Sequence, residues 1–541
     1  MTYLLAFITA MVISMALIPL MVRIAPKVGM VDRPDPRKVH AKPIPRAGGV
    51  GIVLGALVPI FMWLPMDTLI NAYLFGAIVL LVFGVWDDIC ELGHYTKFIG
   101  QFLAVVAVVY HGDLYVTHLP FMGLDTIPAS FGMPFTVFAM IGAINALNHS
   151  DGLDGLAGGM SLLSLASMSY LAFISDGFTV VFIACATLGG VFGFLRFNTH
   201  PARVFMGDGG SQFLGFTLAF LVVYLAEKVN PAFSPALPAL LLGLPVIDIL
   251  AVFAQRVYHG MNWFRASKNH IHHRLLQLDF DHYEAVVIGY SIQAVFVISA
   301  LFLSYESDAL ILAIYLAVAT MIFVFLVSAE SMGWRAHASK KITGLVKVVR
   351  AVKAHKLFTL APISVITVAI SAFFVLVGLA STQVPRDLAV ISAILAPLLV
   401  LLLLLSSKSN SIVVKAVYYV TAAFTVYLTT KYLAKQFPAL ETVELVYFST
   451  LAVIIGFAVR YAGKSQFTTT PLDYLVIFIA LVSGILLNEI PGRTDIGLMA
   501  IKLIILFYGC ELVTMHIKRA WNMLNVSTVA ALVLLSVRGL L

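Results

Sequence analysis

Long unbroken apolar runs, separated by short polar loops, set the pattern of this chain. Strand-like alternation of apolar and polar positions is missing. Runs of about 20 apolar residues are long enough to cross a bilayer as helices. A helix is the expected form because lipid offers no partner to an unpaired backbone N–H or C=O. The pattern therefore predicts an all-α polytopic membrane protein. Up to residue 330 it predicts spans near 3–22, 48–65, 69–86, 98–110, 131–147, 158–175, 178–196, 210–226, 235–254, 285–304 and 308–329. Further spans are expected near 359–381, 386–406, 411–432, 440–460, 472–488, 495–515 and 526–538. Between the two sets, residues 331–358 break the pattern. Arg335, Lys340, Lys341, Lys347, Arg350, Lys353 and Lys356 alternate there with Leu345, Val348, Val349 and Val352, and no acid intervenes. This reads as a basic amphipathic helix on the inner leaflet. The expected organisation is a core over 1–330, a linker over 331–358 and a second transmembrane module over 359–541.

Composition agrees with the pattern. Of 541 residues, 61% are hydrophobic and 11% charged, and the mean hydropathy is +0.98. Soluble proteins carry about 25% charged residues. The net charge of +7 gives no reason to expect nucleic acid as a partner, because positive residues on cytoplasmic loops account for it. Arg23, Lys27, Arg33, Arg37, Lys38, Lys42 and Arg46 all follow the first span. With the N-terminus outside, this loop and those at 87–97, 145–157, 197–209 and 255–284 face the cytoplasm. The first apolar run has no base before it, unlike a secretory signal. Cys90, Cys185 and Cys510 have no metal-ligand spacing.

The polar clusters fall on that same inner side. Asp87 and Asp88 close the third span, and Lys97 follows. The stretch Asn145-Ala-Leu-Asn-His-Ser-Asp-Gly-Leu-Asp-Gly155 holds Asn148, Asp151 and Asp154 between two apolar runs. Asn198-Thr-His-Pro-Ala-Arg-Val-Phe-Met-Gly-Asp208-Gly-Gly-Ser211 leads into the eighth span. Its glycines let backbone N–H groups approach an anion, but it lacks the Lys of a Walker A loop. His270, His272 and His273 follow the ninth span. Singly, the acids could be helix caps, and the histidines could hold zinc or copper. Together, five aspartates on one face suit a hard divalent cation that keeps waters and binds substrate phosphates, as magnesium does. Imidazole and basic groups beside it suit phosphate oxygens. Phosphoryl transfer at a membrane surface is the favoured reading. A transporter or lipid flippase would place its acids near the midplane, and a catalytically idle scaffold would not need the whole acidic set.

These motifs, in this order, resemble the polyprenyl-phosphate N-acetylhexosamine-1-phosphate transferase family, over residues 1 to about 330. The resembling segments are Asp87-Asp88, Asn145 to Gly155, Val204-Phe-Met-Gly-Asp208-Gly-Gly-Ser211, Pro245-Val-Ile-Asp248 and His270-Ile-His272-His273. The resemblance implies transfer of a sugar 1-phosphate from a UDP-N-acetylhexosamine to polyprenyl phosphate, undecaprenyl phosphate in bacteria, with release of UMP. It implies Mg2+ as cofactor, with Mn2+ as a substitute, and a site on the cytoplasmic face of the bacterial inner membrane. By the same resemblance Asp208 matches a magnesium ligand, with Asp151 and Asp154 the acidic pair near metal and nucleotide. Asp87 matches the carboxylate proposed as base, with Asp88 beside it. Lys97, Asn148, Asn198, His270, His272 and His273 match substrate contacts. Ile271 interrupts the histidines, as in the GlcNAc-type enzymes that initiate polymers such as O-antigen, and this disfavours the phospho-MurNAc-pentapeptide translocase.

Nothing in that family accounts for 359–541, which could support homo-oligomers or dock glycan-assembly proteins. Lys502 falls inside one of its spans, and either snorkelling or a structural partner is expected. Glu511 is nine residues on, on the opposite face of a helix at about 100° per residue, and is not the obvious partner.

Overall fold

A computed structural model describes residues 2–33, 43–121, 126–261, 269–337, 356–405, 412–437, 439–461, 495–516 and 521–540. The chain is a polytopic helical membrane protein: among the described residues, 13 helices are long and apolar enough to cross a bilayer. It divides into two compact units, Met1–Ser339 with Thr470–Leu475, and Lys340–Thr469 with Val476–Leu541.

The first unit contains α1 (Thr2–Val28), α2 (Gly48–Trp63), α3 (Thr68–Cys90), α4 (His94–Val106), α5 (Ala129–Ser150), α6 (Leu156–Ile174), α7 (Phe178–Asn198) and α8 (Gly207–Tyr224). It continues through α9 (Leu237–Leu242), α10 (Leu244–Tyr258), α11 (Ile271–Gln277), α12 (His282–Phe302) and α13 (Asp308–Ser331). Helix α8 is almost wholly enclosed by its neighbours. It carries Phe213, Phe216 and Phe220 into the core. Helix α3 packs on it through Tyr73, whose ring stacks on Phe216 at 5.6 Å and whose hydroxyl meets Thr217 Oγ1 at 3.0 Å. That packing brings the C-terminal end of α3 to the N-terminal end of α8. At the crossing the backbones nearly touch: a Cβ on Gly84 would lie 2.2 Å from Gly209 Cα.

Two short strands, β1 (Val31–Asp32) and β2 (Ile44–Pro45), pair antiparallel between α1 and α2. The chain following β2 is stitched to the entry of α8. Phe205 N–H donates to Pro45 O at 2.8 Å, Gly48 N–H to Phe205 O at 2.9 Å and Gly49 N–H to Met206 O at 2.7 Å.

Three expected spans differ in detail. The span at 235–254 is two helices, α9 and α10, meeting at Gly243. A proline stands in the first turn of each, where its missing N–H is no loss. The span at 98–110 runs from His94 and ends in a π-turn at Ala107–His111. The span at 48–65 is a 16-residue helix, short of the full crossing length.

The second unit contains α14 (Lys356–Ala380), α15 (Arg386–Leu405), α16 (Ile412–Leu428), α17 (Ala434–Gln436), α18 (Ala439–Tyr461), α19 (Asp495–His516) and α20 (Met523–Leu540). Helix α16, with its π-turn Thr429–Leu433, is almost wholly enclosed. Lys502 does not snorkel. Its ammonium is buried on α19 and paired with Glu444 of α18. Glu511, on the same helix, pairs instead with Lys415 of α16 at 2.9 Å and accepts from Tyr419 Oη at 3.0 Å. Of the expected linker 331–358, Ser331 closes α13, Lys356 opens α14 and residues 338–355 lie outside the described residues, as does the expected span 472–488.

Candidate active site

Polar loops of the first unit line one cleft of about 1040 Å³. Its floor is the α3–α8 crossing. Gly207, the first residue of α8, takes a left-handed conformation, φ +73°; any side chain there would also strike Asp88 Oδ2, 2.4 Å from a built Cβ. The turn aims the first N–H groups of α8 at Asp88, whose carboxylate accepts from Asp208 N at 3.1 Å and from Gly209 N at 3.4 Å. A carboxylate at a helix N-terminus satisfies orphan donors and meets the positive end of the helix dipole. Asp88 therefore fixes the position of Asp208.

Asp87 accepts from Leu92 N at 2.7 Å, which orients its other oxygen. Lys97, from the first turn of α4, bridges Asp87 Oδ2 and Asp208 Oδ2, each at 2.7 Å. Asn148 of α5 donates to Asp208 Oδ1 at 3.2 Å and to Ser211 Oγ at 2.7 Å. Gln212 donates to Asp208 Oδ2 at 3.3 Å, and Gln101 ties Gln212 to Asn145. Asp208 is thus held from α3, α4, α5 and its own helix. The carboxylates of Asp87, Asp88 and Asp208 bring ligand oxygens within 4.8 Å of one another. That all-oxygen donor set fits a hard divalent cation.

The other expected ligands divide. Asp151 lines the same cleft, and burial pushes its carboxyl up to about 7, with the charges of Asp208 and Asp154 acting in the same direction. Asp154 turns toward a different group. It accepts from His200 Nδ1 at 2.7 Å and from Ala202 N at 3.0 Å, and His282 Nε2 lies 4.0 Å away. Burial alone would raise its carboxyl; those hydrogen bonds and imidazole charges outweigh it and hold it below the usual range. The two imidazoles stack at 4.0 Å.

The expected substrate contacts also divide. Asn198 lines the cleft, but its amide is engaged by the backbone: it accepts from Gly155 N at 2.8 Å and donates to Val204 O at 2.9 Å. It holds the two loops together. His270 is buried against Asp248, Nδ1 to Oδ2 at 2.7 Å, while Asp248 Oδ1 accepts Ile271 N at 2.8 Å. His272 is buried on Gly152, where a Cβ would meet its Nε2 at 2.1 Å; burial lowers its imidazole to about 3, helped by His273. Only His273 of the three lines the cleft. Helix α11 is anchored from behind by a two-pronged pair, Arg274 Nε and Nη2 to Glu330 Oε1 and Oε2 at 2.7 and 2.8 Å.

Cleft residues not singled out from the sequence include Arg46, His200 and His282, together with Asp32. His200 sits inside the Asn198–Ser211 stretch, where a polar side chain near the acids was a usable signal. Arg46 and His282 carried none, because each reaches the cleft only through packing.

The glycosyl transferase family 4 model matches residues 70–226, which include Asp87, Asp88, Lys97 and Asp208. A probable undecaprenyl-phosphate N-acetylglucosaminyl 1-phosphate transferase of Bacillus subtilis is 32% identical over 325 residues, 60% of this chain and 90% of the relative. The chain belongs to glycosyl transferase family 4. Within that family it is also similar to the undecaprenyl-phosphate α-N-acetylglucosaminyl 1-phosphate transferase of Haemophilus influenzae, 30% identical over 50% of this chain and 78% of the relative. The decaprenyl-phosphate N-acetylglucosaminephosphotransferase of Mycobacterium tuberculosis is 31% identical over 49% and 74%. The family match and the Asp87–Asp88–Lys97–Asp208 cluster fall in the same part of the first unit.

Proposed function

We propose that this membrane enzyme transfers N-acetylglucosamine 1-phosphate from UDP-GlcNAc to a polyprenyl phosphate, undecaprenyl phosphate in a bacterium. The products are polyprenyl-diphospho-GlcNAc and UMP. A lipid phosphate oxygen forms the new bond to the sugar-bearing phosphorus. The bond from that phosphorus to the bridging oxygen breaks, and UMP leaves with the electron pair. The observation that carries this reading is the meeting of Asp87, Asp88, Lys97 and Asp208 in one cleft of a chain whose relatives are named for this activity.

Three anionic phosphates must meet, so the main task is to offset their repulsion. Asp208, with Asp87 and Asp88, would hold Mg2+, or Mn2+ in its place, and Asp151 lines the same cleft. A divalent cation there would neutralise phosphate charge and draw the reacting groups together. Lys97 offers an ammonium to a phosphate oxygen once the carboxylates have another partner. A phosphate monoester, with a second pKa of about 6, is already largely ionised at neutral pH. Asp87 therefore serves by orienting Lys97 and the acceptor, and no strong base is required. Asp154, backed by its two imidazoles, would serve the nucleotide end. Basic loops between α1 and α2 support a cytoplasmic site on the inner membrane.

The test is a donor panel on purified full-length protein with magnesium and undecaprenyl phosphate. UDP-GlcNAc is expected to release UMP, and Asp208→Asn to cut the rate by roughly a hundredfold or more. Release only from UDP-MurNAc-pentapeptide would reassign the donor. No release from any UDP-N-acetylhexosamine would refute the enzyme reading.

A further inference from the structure

Lys97 supplies a single ammonium, shared between two carboxylates, and the cleft must hold several phosphate charges. A second cation stands beside it. Arg46 immediately follows β2, lines the same cleft as Asp88 and Asp208, and lies within electrostatic reach of both. Its position is built by backbone. Arg46 N–H donates to Met30 O at 3.1 Å, and its C=O packs so closely on Gly207 that a Cβ there would sit 2.7 Å away. Its side chain is positioned too: Nη2 donates to Asp32 Oδ1, a buried carboxylate on β1 whose strand partner is Ile44, two residues before Arg46. A guanidinium has five donors, so one bond to Asp32 orients the fork and leaves other donors for the cleft.

We propose that Arg46 binds a substrate phosphate in this cleft and that Asp32 is its positioning residue. The inference rests on the transferase reading and adds a specific ligand to it. The chemistry is an arginine fork on phosphate oxygens, which either the nucleotide diphosphate or the lipid phosphate could supply. The hairpin gives the arrangement a purpose. It ties the phosphate-binding cation to the segment that aims Asp208, so the two keep a set distance.

The test uses the full-length protein and two arms. Calorimetric titration with UDP reads the nucleotide source, and titration with undecaprenyl phosphate in detergent reads the lipid source. Arg46→Gln is expected to weaken one of the two by about tenfold or more, the scale of a lost hydrogen bond to a charged group. The KM for the matching substrate should rise in parallel. Arg46→Lys keeps the charge but loses the fork, and is expected to restore only part of the affinity. Asp32→Asn should weaken the same ligand as Arg46→Gln, by a smaller factor. Unchanged affinity for both ligands in a folded Arg46→Gln protein would overturn the proposal, as would a fall in kcat with both KM values unchanged. If Arg46→Gln does not fold, Arg46→Lys binding both ligands like wild type would overturn it instead. Wild type that binds UDP yet releases no UMP would count against the transferase reading, while the binding arms still decide Arg46.

Discussion

At the scale of single residues, neighbouring aspartates do different work. Asp88 accepts backbone N–H groups from the first turn of α8, whereas Asp87 faces Lys97. An amide at position 88 still offers one acceptor oxygen to those donors. Asp88→Asn is therefore expected to retain much more UMP release than Asp88→Ala, and steady-state rates at saturating substrate check this. Equal losses would mean that the charge, and not the helix-start contact, is what matters. His272 gives a pH prediction. An unfolded histidine titrates near about 6.5, and burial takes this one down to about 3. The unfolded chain then binds the proton first, so stability present above about 6.5 is lost as pH falls toward 3, at up to about 1.4 kcal/mol per pH unit. The melting temperature of His272→Gln should fall less between pH 7 and pH 5 than that of the wild type.

At the scale of elements, the site depends on how closely two helices approach. Asp87 and Asp88 end α3, Asp208 begins α8, and only the Gly84–Gly209 contact lets those ends meet. A methyl on Gly84 would strike Gly209 backbone atoms 2.2 and 2.4 Å away, and backbone in an enclosed helix has little room to give. Gly84→Ala is expected to cost about 1–3 kcal/mol and, by pushing α8 away, to lower UMP release more than its melting shift suggests. A scan of melting temperature against rate separates the two effects. Helix α11 shows the same logic from behind. Asp248 and Glu330 hold the histidine segment, so two of its three imidazoles support the wall and one faces the cleft.

At the scale of the whole molecule, the first unit contains every residue assigned to the cleft. A chain ending after residue 337 is expected to release UMP within about twofold of the full-length rate. Loss of activity in a soluble, folded truncation would show that the second unit contributes to turnover. The second unit has its own internal bonds, notably Lys502–Glu444 and Lys415–Glu511. Breaking a buried pair strands one charge in an apolar interior, at about 3–5 kcal/mol.

The division between sequence and structure follows from these particulars. Apolar run length settled the helical membrane fold, because lipid leaves the backbone no other way to pair its polar groups. The aspartates at span ends, with Lys97 beside them, were legible as one inner-face cluster, since each lies within a few residues of an apolar boundary. The break at Gly243 was not legible, because two short helices in tandem have the same composition as one long helix. Roles were not legible either. Asp154 turning to His200, Asn198 binding two loops, His270 and His272 supporting a wall, and Arg46 reaching the cleft from a hairpin all depend on contacts between residues far apart in the chain. Sequence by itself determined which polar groups are present and that they lie at the ends of the spans. Tertiary packing alone decided which groups face one another, because a side chain's hydrogen-bond partner is set by helix crossings that no local pattern encodes.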